Sequence, residues 1–389
     1  MRVCVVLHTD LYEPWPVVRA KREVDVLRRL GRDVVVVSWI KDESTPWPIH
    51  EVRDGVRIRR VKFAPPKGGI ARAMGYRRIS KMFAREIAAT KPNAILCHDL
   101  EMLWAAVMAG RSLRVPILYH SHEDWPAMVS ERSPMEARVF ARLERKLVRF
   151  VDHIYTVGEE LAAKYRGWGR PVTVQYGSKS ITEMPRLMDQ EKSEIRRDFG
   201  FANGDVLVGI AGSLGRDEAL PAILEAIAGL PERVKLFVVG GLPGKVEAAK
   251  RVVTEGDIAG RVAFTGPLPT PMYLRHAAVL DLGLALFEPT SANQLYVVPL
   301  KLFDYMGLGI PVVVSDFPSM RQIVDDCGIG TTADPRSAES IAAAIRSLVE
   351  DSAKRRAMSV AALRCFETTY SWERQEEVLL RSHPVFRPA

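Results

Sequence analysis

Pro299-Leu300-Lys301-Leu302-Phe303-Asp304-Tyr305-Met306-Gly307-Leu308-Gly309-Ile310-Pro311-Val312-Val313-Val314 reads as a helix, a stop and a buried strand in direct succession. Pro299 suits a first helical turn, where its missing N–H costs nothing. Gly307, Gly309 and Pro311 end the helix, and the valine run that follows is the signature of a strand covered on both faces. Upstream the same alternation recurs, with strands expected at 205–211, 234–239, 261–265 and 280–286 and helical stretches between them. The first half repeats the plan with strands at 2–7, 33–38, 55–63, 93–97, 115–121, 152–157 and 172–176. Between the first two, Val17, Ala20, Val24 and Leu27 recur at the helical period, up to a stop at Gly31. Strand–helix alternation gives parallel sheets with right-handed crossovers. A chain of 389 residues exceeds one ordinary core. The expectation is therefore α/β, with two Rossmann-like domains facing an interdomain cleft.

The N-terminal domain is expected over 1–178 and the C-terminal one over 196–370. A polar linker is read at 177–195, and a final helix over 371–389 returns to the first domain. Composition is that of a globular protein, 47% hydrophobic and 26% charged. No apolar run approaches the roughly 20 residues that span a bilayer, and the N-terminus reads as a first strand rather than a signal peptide. Cys4, Cys97, Cys327 and Cys365 stand singly, which argues against a disulfide framework and for a reducing compartment. The expected location is the cytosol, with peripheral attachment to the inner face of the membrane. Charge is uneven: residues 1–180 hold 32 Lys/Arg against 20 Asp/Glu, and residues 181–389 hold 23 against 27. The positive half suits an anionic membrane surface or a phosphorylated acceptor. A helix around 134–151 carries Arg138, Arg142, Arg145 and Arg149 beside an apolar stripe of Phe140, Leu143, Leu147 and Val151; 67–85 is similarly basic. Aromatics are not interleaved with these bases, so nucleic acid is not expected as a partner.

In open α/β sheets ligands sit beyond the carboxyl ends of strands. After strand 205–211 come Gly212-Ser213-Leu214-Gly215-Arg216. Glycines there admit a phosphate close to the backbone, and Arg216 offers it a charged fork. Lys301, near a helix N-terminus, suits a diphosphate, and Asp304 suits a ribose diol. In the first half, His98-Asp99 closes one strand and His120, His122, Glu123 and Asp124 close another. His120 and His122 share a side of an extended segment. Such a cluster could ligate zinc, but it lacks tight helical spacing; hydrogen bonding to a sugar is preferred, and no metal is expected. Gly241-Leu242-Pro243-Gly244-Lys245 lacks the hydroxyl residue and spacing of a phosphate loop and is read as a plain turn.

Segments 299–316, 95–104, 116–126 and 151–161 and the Ser371-Trp372-Glu373 helix start together resemble the family 4 retaining glycosyltransferases, in particular a group with a P-x-K-L-F-[DE]-Y segment. The resemblance implies a GT-B fold, a nucleotide-sugar donor, and transfer with retention, with no cofactor and no required metal. Arg216 and Lys301 match its cationic phosphate positions, Asp304 its ribose carboxylate and His122 the histidine beside the donor sugar. These make His122, Arg216 and Lys301 the catalytic set. Gly212, Ser213, Leu214, Ser291, Asn293 and Leu302 complete the donor set, while His98, Asp99, His120, Glu123 and Trp125 stand on the acceptor side. Asp99 is the fallback general base. The sequence departs from the family at Tyr296, where an acid is usual, at Asp217-Glu218, where a lysine is usual, and at His8-Thr9-Asp10, where a glycine pair is usual. The expected function is hexose transfer to a glycan or lipid-linked acceptor. The alternatives are a nucleotide-sugar epimerase or hydrolase on the same fold, or a non-catalytic glycan- or membrane-binding protein.

Overall fold

The computed structural model describes the chain except residues 13–16, 65–68, 131–132, 216, 256–257, 291, 297 and 389; for 69–74, 255 and 292 it describes the backbone alone. Two compact units result, one of Met1–Tyr176 with Glu376–Ala389, the other of Gly177–Gln375.

The first unit is built on β1 (Arg2–Leu7), β2 (Asp33–Ile40), β3 (His50–Arg53), β4 (Val56–Lys62), β5 (Ala94–His98), β6 (Ile117–Ser121), β7 (His153–Thr156) and β8 (Val172–Val174). Their order is β3-β4-β2-β1-β5-β6-β7-β8. All pairs are parallel except β3 with β4. β3 was not foreseen: its sequence, HEVR, is short and polar, and at the edge of a sheet it needs no apolar face. The helix Val18–Arg29 covers this sheet with Ala20, Val24 and Leu27 fully buried, and Gly31 beyond it has the positive φ of 71° that a helix stop requires.

The second unit holds β9 (Val206–Gly212), β10 (Val234–Gly240), β11 (Val262–Phe264), β12 (Leu282–Ala285), β13 (Val312–Ser315) and β14 (Gly330–Ala333). Its order is β11-β10-β9-β12-β13-β14, all parallel. β14, of sequence GTTA, also went unread, since it has no apolar run. The helix Leu300–Leu308 ends at Gly309, whose φ of 69° is left-handed. Tyr305 on this helix is fully buried. Its ring fills the space that a Cβ on Gly283 of β12 would take, only 2.6 Å away. Its hydroxyl accepts from the Ala211 amide at 2.8 Å and lies 3.1 Å from the Leu284 carbonyl. One side chain thus binds helix to sheet at the two central strands.

Two expectations are corrected. Residues 177–195 are not a free linker but part of the second unit: Met184 is buried and packs where a Cβ on Gly307 would stand, and Asp189–Asp198 is a helix. Cys327 and Cys365 are joined by a disulfide, with Cα atoms 5.9 Å apart. Single spacing hid the pair because two different helices carry the cysteines. Only Cys4 and Cys97 are free thiols, both buried.

Candidate functional site

The parallel part of each sheet reverses its strand order once, and there the loops on either side diverge and leave a crevice. In the second unit the reversal falls between β9 and β12, in the first between β1 and β5. Both groups of expected site residues lie at these points.

At the carboxyl end of β9, Gly212 has φ 130°, and Gly240 of neighbouring β10 has φ 93°. Neither position tolerates a side chain: a Cβ on Gly240 would lie 2.8 Å from the Gly212 carbonyl. Lys301 reaches this turn, its Cε 3.4 Å from where a Gly212 Cβ would be. A lysine in the first turn of a helix opposes the helix dipole, and burial adds the cost of desolvation. An anion must answer it. Here Glu218 does, with Oε1 2.7 Å from Nζ, both side chains at least nine-tenths buried. Asp304, one turn further along the helix, accepts from Lys179 Nζ at 2.5 Å and from the Tyr273 hydroxyl at 3.1 Å. Lys179, Glu218 and Tyr273 were not singled out from sequence as site residues. Only Glu218 left a signal, as an acid where the resemblance expects a lysine.

Of the other donor-side residues, Leu214 is buried with φ 50° and Ser213 is exposed. Asn293 is buried on the short helix Ala292–Tyr296. Leu302 points wholly into the core, so its side chain cannot meet a ligand. Arg216 and Ser291 lie outside the described residues.

At the β1/β5 reversal the first unit gathers His8, His98, Asp99, His120 and His122. Asp99 adopts φ 63°, ψ 157°, a strained conformation for a residue other than glycine. In that pose Oδ2 lies 3.1 Å from His122 Nδ1 and 3.1 Å from His8 Nδ1. Although burial opposes ionisation, the two imidazoles hold the Asp99 carboxyl well below its usual range. Burial depresses His122 and lowers His120 to about 3. Glu123 is pushed up to about 7, first by burial and then by Asp99 and Glu101. His8, Asp99, Glu101, His122, Glu123 and Trp125 line a cavity of about 160 Å³. Beneath it Glu23, on the inward face of Val18–Arg29, meets His120 Nδ1 at 2.7 Å and His98 Nε2 at 3.2 Å. Glu23 and His8 were missed. Glu23 could have been found, because it lies three residues after Ala20 on the apolar face, where an acid needs a reason.

The comparisons with known proteins agree with this geometry. Residues 16–176 match the glycosyl transferase 4-like domain, and residues 191–364 match glycosyl transferases group 1. A GDP-mannose-dependent alpha-(1-6)-phosphatidylinositol monomannoside mannosyltransferase of Mycobacterium tuberculosis is 21% identical over 71% of this chain and 74% of its own length. The putative teichuronic acid biosynthesis glycosyltransferase TuaC of Bacillus subtilis is 22% identical over 83% and 82%. Sucrose-phosphate synthase of Thermosynechococcus elongatus superposes with a TM-score of 0.75 at 16% identity, covering 97% of each chain. Anabaena HepE in complex with UDP-glucose does so with a TM-score of 0.69 at 15% identity, covering 97% of this chain and 98% of that one. With its two Rossmann-like sheets and both matched domains, the chain is a GT4-type glycosyltransferase of the GT-B fold.

Proposed function

We propose that the chain transfers a hexose from a nucleotide-diphosphate sugar to a glycan or lipid-linked acceptor, with retention at the anomeric carbon and no metal required at the diphosphate. The observation that carries this reading is Lys301, a buried cation at a helix N-terminus beside the Gly212 turn, paired with the carboxylate of Glu218. A diphosphate entering there replaces Glu218 as the counter-ion. Lys301, and Arg216 by its place in the sequence, then stabilise the charge that develops on the departing diphosphate. Asp304 takes the ribose hydroxyls, exchanging Lys179 or Tyr273 for them. His122 is assigned to the donor sugar, and the donor phosphate accepts the proton of the acceptor hydroxyl. The names of the relatives support both substrates: UDP-glucose for the Anabaena protein, and GDP-mannose with a phosphatidylinositol mannoside for the mycobacterial one.

The lipid-linked acceptor is further supported by the helix Pro134–Leu147. It exposes Met135 and Val139 among Arg138, Arg142 and Arg145, a surface suited to an anionic leaflet. Among the described residues no helix is long and apolar enough to cross a membrane. We place the enzyme at the inner face of the cell membrane.

The test is a panel of UDP-, GDP-, ADP-, dTDP- and CMP-sugars, each with and without EDTA and with and without a membrane-lipid extract as acceptor. One nucleotide-diphosphate sugar should be hydrolysed slowly alone and consumed faster with acceptor, not diminished by EDTA and lost in Lys301→Ala. Conversion of the donor to another nucleotide sugar without acceptor would mean an epimerase. No consumption of any donor would sink the proposal.

A further inference from the structure

The hydrogen-bond accounting of the histidine cluster does not close with protein groups alone. Glu23 is buried and has two oxygens. One lies 2.7 Å from His120 Nδ1, the other 3.2 Å from His98 Nε2. A carboxylate only accepts, so His120 Nδ1 carries hydrogen, whereas Glu23 Oε2 and His98 Nε2 lie near each other without a hydrogen bond and are both left without a partner. Asp99 Oδ2 likewise fixes the hydrogen of His122 on Nδ1, at 3.1 Å. Each neutral imidazole has one N–H and one lone pair. That leaves His120 Nε2 and His122 Nε2 as acceptors, and His98 Nδ1 joins them in the tautomer that keeps its hydrogen on Nε2, beside Glu23.

One ring nitrogen of each histidine converges on a common point. The ligand atoms of His98, His120 and His122 lie within 4.8 Å of one another. His98 Nδ1 and His122 Nε2 are 3.4 Å apart, a hydrogen bond in one His98 tautomer and two facing lone pairs in the other. His120 Nε2 is buried with no hydrogen-bond partner, in a residue with no exposed surface. A buried polar atom without a partner costs free energy, and Glu23 Oε2, His98 Nε2 and His120 Nε2 are all in that state. What the three histidines lack is a cation between them.

We propose that His98, His120 and His122 form a three-histidine site for a divalent transition metal of the zinc class, with Glu23 and Asp99 as the carboxylates that orient the ligands. Neutral imidazoles suit zinc and its neighbours. A carboxylate on the far nitrogen of each ligand is the usual support of such a site, since it fixes the tautomer and raises ligand basicity. The local charge favours a cation. Arg19 is the cation that faces the cluster, and Glu23 and Asp99 are set against it. His122 lines the 160 Å³ cavity, so a fourth position stays open to water or a substrate oxygen. The ion takes the His122 nitrogen that a sugar hydroxyl would otherwise meet, so occupancy throttles transfer rather than driving it. The site itself stands independently of the donor reading.

The experiment uses the full chain, stripped with a chelator and titrated with Co²⁺ and Zn²⁺. Expected are one ion per chain, the visible absorption of Co²⁺ in a four-coordinate nitrogen-rich site, and a rise in melting temperature with Zn²⁺. His98→Gln and His122→Asn should lose the spectrum and the thermal shift, and Glu23→Gln should weaken binding by about 10- to 100-fold. His122 is partly exposed, so its variant should keep the wild-type circular dichroism and remain informative if a buried-site variant fails to fold. His153→Asn, outside the cluster, should bind as wild type does. The proposal is overturned if the folded wild type takes up no ion, in which case a shared proton fills the gap. It is equally overturned if folded His122→Asn binds the ion unchanged.

Discussion

Lys301 and Glu218 carry opposite charges into one buried place, and each fixes what the other's removal does. Lys301→Ala strands a buried carboxylate, so it should cost about 3–5 kcal/mol of stability as well as nucleotide affinity. Glu218→Gln relieves competition for the ammonium and should tighten nucleoside diphosphate binding several-fold. Paired chemical denaturation and calorimetry separate the two effects. Equal weakening of binding by both variants would mean that Glu218 is part of the donor site rather than its placeholder. Tyr305 makes a cleaner case. Tyr305→Phe keeps the ring against Gly283 but leaves the Ala211 amide without its acceptor, at a cost of about 1–3 kcal/mol. Denaturant midpoints read it directly. From sequence Lys301 could be picked out, because a lysine at a helix start opposes the dipole. Its partner could not: Glu218 lies 83 residues away in the chain, and only the β9/β12 reversal brings the two together.

At the scale of single elements, the long strands were legible because their valine runs are unambiguous. The edge strands β3 and β14 were not, because an edge makes fewer demands on composition. The polar segment 177–195 misled for the opposite reason: its hydrophilic composition concealed Met184 as an anchor. β7 carries a pH prediction. Burial lowers His153 to about 4, helped by His383; Nε2 pairs with the Thr173 hydroxyl of β8 at 2.8 Å. A histidine depressed in the fold binds its proton more readily when unfolded. Its stabilisation is whole above the unfolded value of about 6.5 and is lost as pH falls towards about 4. His120 acts in the same direction. Melting temperature should therefore fall across this window, and His153→Asn should flatten the slope without abolishing it. A wild-type melting temperature constant from pH 7 to about 4 would contradict the assignment. For the helix Pro134–Leu147, charge reversal at Arg138, Arg142 and Arg145 should abolish flotation with phosphatidylserine vesicles. Unchanged flotation removes this helix as the docking face.

At the scale of the whole molecule, two parallel sheets were expected from alternation alone, and their strand orders locate the sites. What alternation could not supply is the content of the histidine cluster. Its histidines were visible as strand endings, but Glu23 joins them from a helix nearly a hundred residues earlier. The donor claim also has a molecular consequence. A nucleotide that binds the second unit should slow hydrogen exchange at Gly212–Leu214 and along Leu300–Leu308, the segments that would hold its phosphates.

Calorimetric titration of UDP, GDP, ADP and dTDP into the wild type, Lys301→Ala and Glu218→Gln puts the central claim to the most direct test. The account predicts that one nucleoside diphosphate binds the wild type without added metal. Affinity should fall at least tenfold, about 1.4 kcal/mol, in Lys301→Ala, and should rise in Glu218→Gln. Undiminished affinity in a folded Lys301→Ala would contradict it.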